Sequence, residues 1–194
     1  MENEASSQQV EFGRTRIWFA TGELVDQPVQ AIICPANARG VMPSSGSHSL
    51  RVSTGSEVER LVRAMAPLNV GTAVVTSSGK LSQRGIERLI HAIITGEPGT
   101  GSRLPTARDA LFAALELAQR ERIRSLAIPI LGMEPDASPE KRTLWIEGIV
   151  NEVVARLRRG QSSLDVIILV SRYLDDQAFV VAALTAARTR SWRS

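Results

Sequence analysis

Short apolar runs that alternate with amphipathic segments are the feature that most constrains the fold of this chain. Four runs are apolar along most of their length, as expected for strands buried on both faces: Ala31 to Cys34, Glu87 to Ile94, Ser125 to Leu131 and Val166 to Val170. Between them, apolar residues recur every three or four positions, which is the spacing of one helical face. This alternation predicts an α/β fold with a mostly parallel sheet covered by helices on both sides.

Weaker patterns indicate the remaining strands and loops. Arg14 to Ala20 alternates and predicts a first strand, and Thr72 to Ser77 predicts another. Pro35 is expected to end the strand that precedes it, because proline cannot donate a ladder hydrogen bond. Arg39 to Ser53 is rich in serine and glycine, which favours a loop. Capping residues indicate three helix starts: Thr106 with Asp109, Ser138 with Pro139, and Asp175 or Asp176.

The length of 194 residues fits one domain of ordinary size. Residues 10–188 are expected to form this domain. Residues 1–9 and 189–194 are expected to be flexible ends, because they are polar or follow the last apolar stripe.

Composition excludes several classes of protein. Hydrophobic residues make up 43% and charged residues 22% of the chain, which is typical of a globular protein rather than a disordered one. The start of the chain lacks the pattern of a signal peptide, and its apolar runs are shorter than the roughly 20 residues that span a membrane. The single cysteine, Cys34, cannot form an intrachain disulfide, so we expect a cytoplasmic protein with no membrane contact.

The small basic excess has two interpretations. The net charge is +3, and the arginines cluster at residues 120–124, 156–159 and 188–193. Solvated helix ends account for most such clusters, because cations are favoured near helix C-termini. Weak RNA binding through this basic surface is the alternative.

Asn37 is the first candidate for a binding residue. It follows the apolar run Ala31 to Cys34, so it lies at the carboxyl end of a predicted parallel strand. Ligands of open α/β sheets bind at that edge. A carboxamide can donate and accept hydrogen bonds, which suits a sugar hydroxyl. The alternative is a turn asparagine that bonds its own backbone.

Several segments together resemble the macrodomain family. Val29 to Asn37 reads Val-Gln-Ala-Ile-Ile-Cys-Pro-Ala-Asn and is similar to the family signature Val-Asp-Ala-Ile-Val-Asn-Ala-Ala-Asn. Further matches occur in the family's order at Gly22 to Val25, Gly71 to Thr76, Leu89 to Ala92 and Ser125 to Pro129. The resemblance implies a three-layer α/β/α sandwich with a mixed, mostly parallel sheet. It also implies a cleft for ADP-ribose, or a related adenine nucleotide, at the carboxyl ends of the strands.

The resemblance also assigns site residues. Glu23 takes the place of the family's acidic residue that contacts the adenine amino group, and Asn37 matches the asparagine that contacts the distal ribose. Arg172 or Tyr173 follows the last strand, where many macrodomains place an adenine-stacking aromatic. The full set of expected ligand-binding residues is Glu23, Leu24, Ala36, Asn37, Ser45, Gly46, Ser47, Gly132, Met133, Arg172 and Tyr173.

Both phosphate-binding loops depart from the family pattern. The family's first loop is a glycine run, but Pro43 to Ser47 keeps only one glycine, Gly46. The second loop is Leu131 to Pro135 and contains Glu134, whose carboxylate would repel a pyrophosphate. We therefore expect weaker binding of ADP-ribose than by a macrodomain with intact loops.

These departures leave three functions open. One group of hydrolytic macrodomains carries a second asparagine and an aspartate around the glycine run, and this chain has neither there. We therefore favour a module that binds ADP-ribose or an ADP-ribosylated macromolecule. The alternatives are an ADP-ribosyl hydrolase and a degenerate macrodomain used for protein or RNA contacts. Cys34 with His91 or His48 could suggest a nucleophile and base, but a thiol in an apolar run is usually inert. No cofactor or metal is expected, because these residues lack metal-ligand spacing.

Overall fold

The computed structural model describes residues 9–42, 44–160 and 162–190, and the side chains of residues 44–48 lie outside this description. Its strands are β1 Val10–Phe12, β2 Thr15–Thr21, β3 Ala31–Asn37, β4 Ala73–Ser77, β5 Arg88–Thr95, β6 Ser125–Pro129 and β7 Val166–Ser171. Its α-helices are α1 Ser44–Thr54, α2 Ser56–Ala64, α3 Leu104–Arg120, α4 Pro139–Arg158 and α5 Asp176–Arg190. Short 3-10 helices cover Leu24–Asp26 and Gly79–Arg84.

The strands form one mixed sheet in the order β1-β2-β7-β6-β3-β5-β4. The five central strands run parallel, and the two outer strands β1 and β4 are antiparallel to their neighbours. Because β6 lies beside β3, the carboxyl ends of β7, β6, β3 and β5 meet at one edge. The predicted fold class is confirmed.

Helices cover both faces of the sheet. On one face, α3, α4 and α5 bury residues such as Leu111, Ile149 and Val180 against the strands. On the other face, α1 and α2 bury Leu50 and Val58. Because successive strand residues point to opposite faces, Ile33 contributes to the first core and Ile32 to the second. These two cores make the three layers of the predicted sandwich.

The sheet splits beside β3, and this split positions the site. β3 pairs with β5 from Ala31 to Asn37, but it pairs with β6 only at Ala31 and Ile32. The prediction that Pro35 ends the strand was wrong, because β3 continues through it to Asn37. Beyond Ile32 the side of β3 that faces β6 has no strand partner, so a proline without an N–H is tolerated there.

Two further local predictions were wrong. Residues predicted as a loop form helix α1, because burial of Leu50 and Thr54, each 1% exposed, outweighs the weak helix propensity of serine. The box of Thr106 and Asp109 does not cap α3, which begins at Leu104 with a proline in its first turn.

Other helix boundaries follow the sequence closely. The Ser138 side chain accepts a hydrogen bond from the Lys141 amide and caps α4, as expected from Ser138 before Pro139. Helix α5 begins at Asp176 and reaches Arg190, two residues beyond the predicted end of the domain. None of the helices in the described part of the chain is long and apolar enough to span a membrane.

Candidate functional site

A groove with two lobes lies at the carboxyl ends of the parallel strands. The first lobe, a cavity of about 560 Å³, lies over the ends of β3, β5 and β6 and is lined by Pro35, Asn37 and Thr95 among others. The second lobe, of about 360 Å³, lies over the ends of β6 and β7. The lobes share lining residues Leu24, Pro129, Ile130, Met133, Glu134 and Pro135, so they form one continuous groove.

Asn37 lines the first lobe at the tip of β3. Its side chain is buried, with 3% of the residue exposed. The Oδ1 atom accepts hydrogen bonds from the backbone amides of Arg39 at 3.0 Å and Val41 at 3.1 Å. None of the described residues accepts a hydrogen bond from its Nδ2. The Asn37 oxygen therefore holds the turn after β3, and the nitrogen remains a donor available to a ligand in the lobe.

Glu23 and Arg172 form an ion pair beside the second lobe. Nε of Arg172 lies 2.7 Å from Oε1 of Glu23, and Nη2 lies 2.9 Å from Oε2. The hydroxyl of Ser49, in α1, also donates to Oε2 at 2.5 Å. Burial acts to raise the pKa of Glu23, but the hydrogen bonds from Arg172 and Ser49 together lower it below its usual value. The carboxylate is therefore ionised and fixed in orientation.

A buried network supports the second lobe from behind. Asp176 is fully buried, and its Oδ1 lies 2.7 Å from Nη1 of Arg142. The Ser171 hydroxyl donates to Oδ2 of Asp176 at 2.5 Å. Arg142 also donates to the carbonyl of Pro135 at 2.8 Å, and its guanidinium lies 5.0 Å from the centre of the Tyr173 ring. Arg142 thus ties the loop after β6 to the loop after β7.

The loop after β6 forms the wall that both lobes share. Gly132 adopts φ +76°, and a Cβ there would lie 2.6 Å from the Ser102 hydroxyl, so both the backbone and the packing require glycine. Nε1 of Trp145 donates to the carbonyl of Leu131 at 2.7 Å. The carboxylate of Glu134 forms an ion pair with Lys141. This pair offsets the negative charge that Glu134 brings to the groove.

The comparisons with known proteins decide the family. The profile of the Macro domain family matches residues 33–144, which is more than half of the chain. This chain belongs to the macrodomain family. An uncharacterized protein of Aquifex aeolicus is 36% identical over 135 residues, which cover 70% of this chain and 73% of that protein.

Solved macrodomains share the fold. A mutant of the Oceanobacillus iheyensis macrodomain has a TM-score of 0.78 at 14% identity and covers 94% of this chain and 97% of that one. The Trypanosoma brucei macrodomain in complex with ADP-ribose has a TM-score of 0.69 at 18% identity and covers 87% of this chain and 68% of that one. This macrodomain therefore shares the overall fold of these structural relatives.

The expected site residues of this macrodomain fall into three groups. Those that line the groove are Glu23, Leu24, Asn37, Gly132, Met133, Arg172 and Tyr173. Ala36 is fully buried and lines neither lobe. Ser45, Gly46 and Ser47 belong to α1 by their backbone, but their expected ligand contacts lie outside what the structure describes.

Sequence reasoning missed one wall of the first lobe. The segment after β5 lines it with Pro98, Gly99, Thr100, Gly101 and Ser102, and Arg51 lines it from α1. Arg39 and Glu97 form an ion pair, with Nε and Oε2 2.8 Å apart, which ties this segment to the turn after β3. A glycine-rich segment directly after a strand that neighbours the Asn37 strand was the available signal. No sequence signal indicated Arg51, because it lay in a segment that was predicted to be a loop.

Cys34 and His91 lie in the core of this macrodomain, not in its groove. Sγ of Cys34 is 3.2 Å from Nδ1 of His91, and the Thr76 hydroxyl is 2.9 Å from Nε2. Burial raises the pKa of the Cys34 thiol and lowers the pKa of His91 to about 4. Both groups are therefore neutral at pH 7, and the thiol is unsuited to nucleophilic attack. The residues that the structure describes contain no cluster of potential metal ligands.

Proposed function

We propose that this macrodomain binds ADP-ribose, free or attached to a macromolecule, in the two-lobed groove. The observation that carries the proposal is the amide of Asn37, which lines the first lobe and whose Nδ2 donates to none of the described residues. A hydrogen bond from this amide to a ligand hydroxyl would contribute about 0.5–1.5 kcal/mol to binding. The ADP-ribose complex of the Trypanosoma brucei relative supports this class of ligand.

The two lobes suit the two ends of the ligand. The second lobe offers the Glu23 carboxylate as an acceptor for the adenine amino group, with the flat groups of Arg172 and Tyr173 at its wall. The first lobe offers the Asn37 amide to the distal ribose. In this orientation the pyrophosphate passes from the second lobe into the first beside Met133, which lines both lobes.

The groove favours binding over hydrolysis. The two carboxylates among its described lining residues are engaged by cations, Glu23 by Arg172 and Glu134 by Lys141. A general base needs a pKa near the operating pH, whereas the pKa of Glu23 is lowered. We propose a binding module in the cytoplasm, and the single buried cysteine agrees with a reducing compartment.

Calorimetric titration with ADP-ribose, AMP and short poly(A) tests this proposal. We expect ADP-ribose to bind more tightly than AMP, because AMP leaves the Asn37 amide unpaired. Absence of ADP-ribose binding by the folded protein would contradict the proposal. Binding of poly(A) that ADP-ribose does not displace would instead favour the RNA alternative on the basic surface.

An activity assay separates the binding module from an enzyme. The protein is incubated with an ADP-ribosylated protein, and free ADP-ribose is measured over many turnovers. We expect binding without release. Sustained release would identify a hydrolase.

A further inference from the structure

We propose that Arg51 is the cation that holds the phosphates of a nucleoside diphosphate ligand in the first lobe. This inference rests on the proposed function, because it names how the same groove binds the charged part of its ligand. Arg51 belongs to α1 and lines the first lobe, on the same side of the sheet as Leu24 and Met42.

The ion pairs around Arg51 leave it available to a ligand. Its Nη2 lies 3.5 Å from Oε2 of Glu59, a long contact. Glu59 is held more closely by Arg63, whose Nη2 lies 2.8 Å from Oε1. Two guanidinium groups thus share one carboxylate, and this cluster carries one surplus positive charge. Of its two cations, only Arg51 lines the lobe.

The charges on the lobe wall favour an anion. Arg51 and Glu134 are the charged residues among the described lining of the first lobe. Glu134 is paired with Lys141, so its charge is offset locally. The side chain of Arg51 is 39% exposed, so an incoming phosphate can reach it without disrupting the core. Guanidinium groups bind phosphate oxygens through paired hydrogen bonds.

The sequence of α1 explains why a side-chain cation is needed. The family binds one phosphate with a glycine run, and this chain has Ser44, Ser45 and Gly46 at the start of α1 in its place. A side chain two turns along the same helix can supply the positive charge that such a run provides through backbone dipoles. Arg51 would therefore compensate for the altered loop.

Matched variants of the full chain test this role. Arg51→Gln removes the cation that lines the lobe, and Arg60→Gln removes an exposed cation of α2 that lines neither lobe as a control. Calorimetry is run with ADP-ribose, with adenosine and with inorganic pyrophosphate. We expect Arg51→Gln to weaken ADP-ribose binding by about tenfold or more and to leave adenosine binding unchanged. Arg60→Gln should match the wild type.

Two further measurements test whether Arg51 acts through its charge: the salt dependence of binding and the affinity of the conservative variant Arg51→Lys. The difference between wild type and Arg51→Gln should shrink as salt rises from about 0.05 M to about 0.5 M. Arg51→Lys should recover part of the affinity, because it restores the charge without the planar fork. Circular dichroism melts verify that each variant is folded.

The outcomes separate the two proposals. If the wild type binds ADP-ribose and Arg51→Gln binds it equally well, the role of Arg51 is overturned and the proposed function stands. If the wild type binds only pyrophosphate, and does so through Arg51, the proposed function fails and the anion site stands. If neither ligand binds, both proposals fail.

Discussion

The guanidinium of Arg172 contacts both carboxylate oxygens of Glu23, with Nε 2.7 Å from Oε1 and Nη2 2.9 Å from Oε2. Together with Ser49, it occupies most of the acceptor capacity of that carboxylate and leaves room for about one further donor. The side chains of Arg172 and Glu23 are 43% and 33% exposed, so the pair contributes at most about 1 kcal/mol to stability. Its main effect is to fix the acceptor beside the second lobe.

Arg172→Ala should weaken AMP binding without destabilising the fold. The change frees Glu23 to move and removes a flat group from the lobe wall, which should cost about 1 kcal/mol of binding free energy. Calorimetry with AMP measures the affinity, and a thermal melt measures stability. Asp175→Ala, an exposed change in the same loop, is the control. Unchanged AMP affinity would show that Arg172 does not contribute to ligand binding.

Lys141→Met should weaken ADP-ribose binding by exposing the charge of Glu134. Methionine keeps an unbranched apolar side chain but removes the ammonium, which pairs with Glu134 and lies 5.9 Å from the centre of the Trp145 ring. An uncompensated carboxylate near a pyrophosphate costs about 1 kcal/mol. The double variant Lys141→Met with Glu134→Gln should recover the affinity, and calorimetry on the wild type, both single variants and the double variant gives the coupling. Equal affinities throughout would show that Glu134 points away from the bound phosphates.

Asp176→Asn should destabilise the protein strongly. The residue is fully buried, and its partner Arg142 is 13% exposed at the side chain, so the change leaves a buried guanidinium without its counter-charge. Removal of one member of such a pair costs about 3–5 kcal/mol. Urea unfolding of Asp176→Asn and of the exposed control Asp175→Asn measures the difference. Equal unfolding midpoints would contradict the structural role of this pair.

The fold was predictable because apolar runs and helical stripes are encoded locally. The continuation of β3 through Pro35 and the formation of helix α1 were not predictable, because both depend on tertiary contacts. Pro35 is tolerated because β6 does not pair with β3 at that position, and α1 is held by the burial of Leu50. Neither contact can be read from neighbouring residues.

The candidate site was predictable only in part, because some of its residues lie in local motifs and others are brought together by the fold. Asn37 and Glu23 lie in recognisable motifs. The ion pairs of Glu23 with Arg172 and of Glu134 with Lys141 join segments whose spatial order the sequence does not reveal. The position of Arg51 on the lobe wall depended on a helix that serine-rich composition concealed.

The buried His91 should make stability fall in mild acid. Its pKa is lowered from 6.5 to about 4 by burial, so the unfolded chain binds a proton that the folded protein does not. This contribution is fully present above about pH 6.5 and is lost as the pH falls toward about 4. At pH 5 the loss should be about 2 kcal/mol relative to pH 7.

A variant without a titrating ring isolates this effect. His91→Gln can still bond to Thr76 or Cys34, but it should show a smaller loss of unfolding free energy between pH 7 and pH 5 in urea titrations. Glu23 and Asp165 have lowered pKa values and lose their contributions only at lower pH. The same pH dependence in wild type and His91→Gln would contradict the assignment.

Asn37→Asp should separate binding from folding. Aspartate keeps the oxygen that accepts hydrogen bonds from Arg39 and Val41, but it lacks the Nδ2 donor. We expect a folded protein whose ADP-ribose affinity is reduced by about 1–3 kcal/mol. Asn37→Ala should lose both the turn contacts and the affinity. Wild-type affinity in the aspartate variant would exclude Asn37 as a donor to the ligand.

A crystal structure of the protein with ADP-ribose would show whether the groove binds the ligand as proposed. We expect adenine in the second lobe with its amino group at the Glu23 carboxylate. We also expect the distal ribose within hydrogen-bonding distance of Nδ2 of Asn37. ADP-ribose bound outside the groove, or bound within it with Asn37 Nδ2 still lacking an acceptor, would show that the proposed function is wrong.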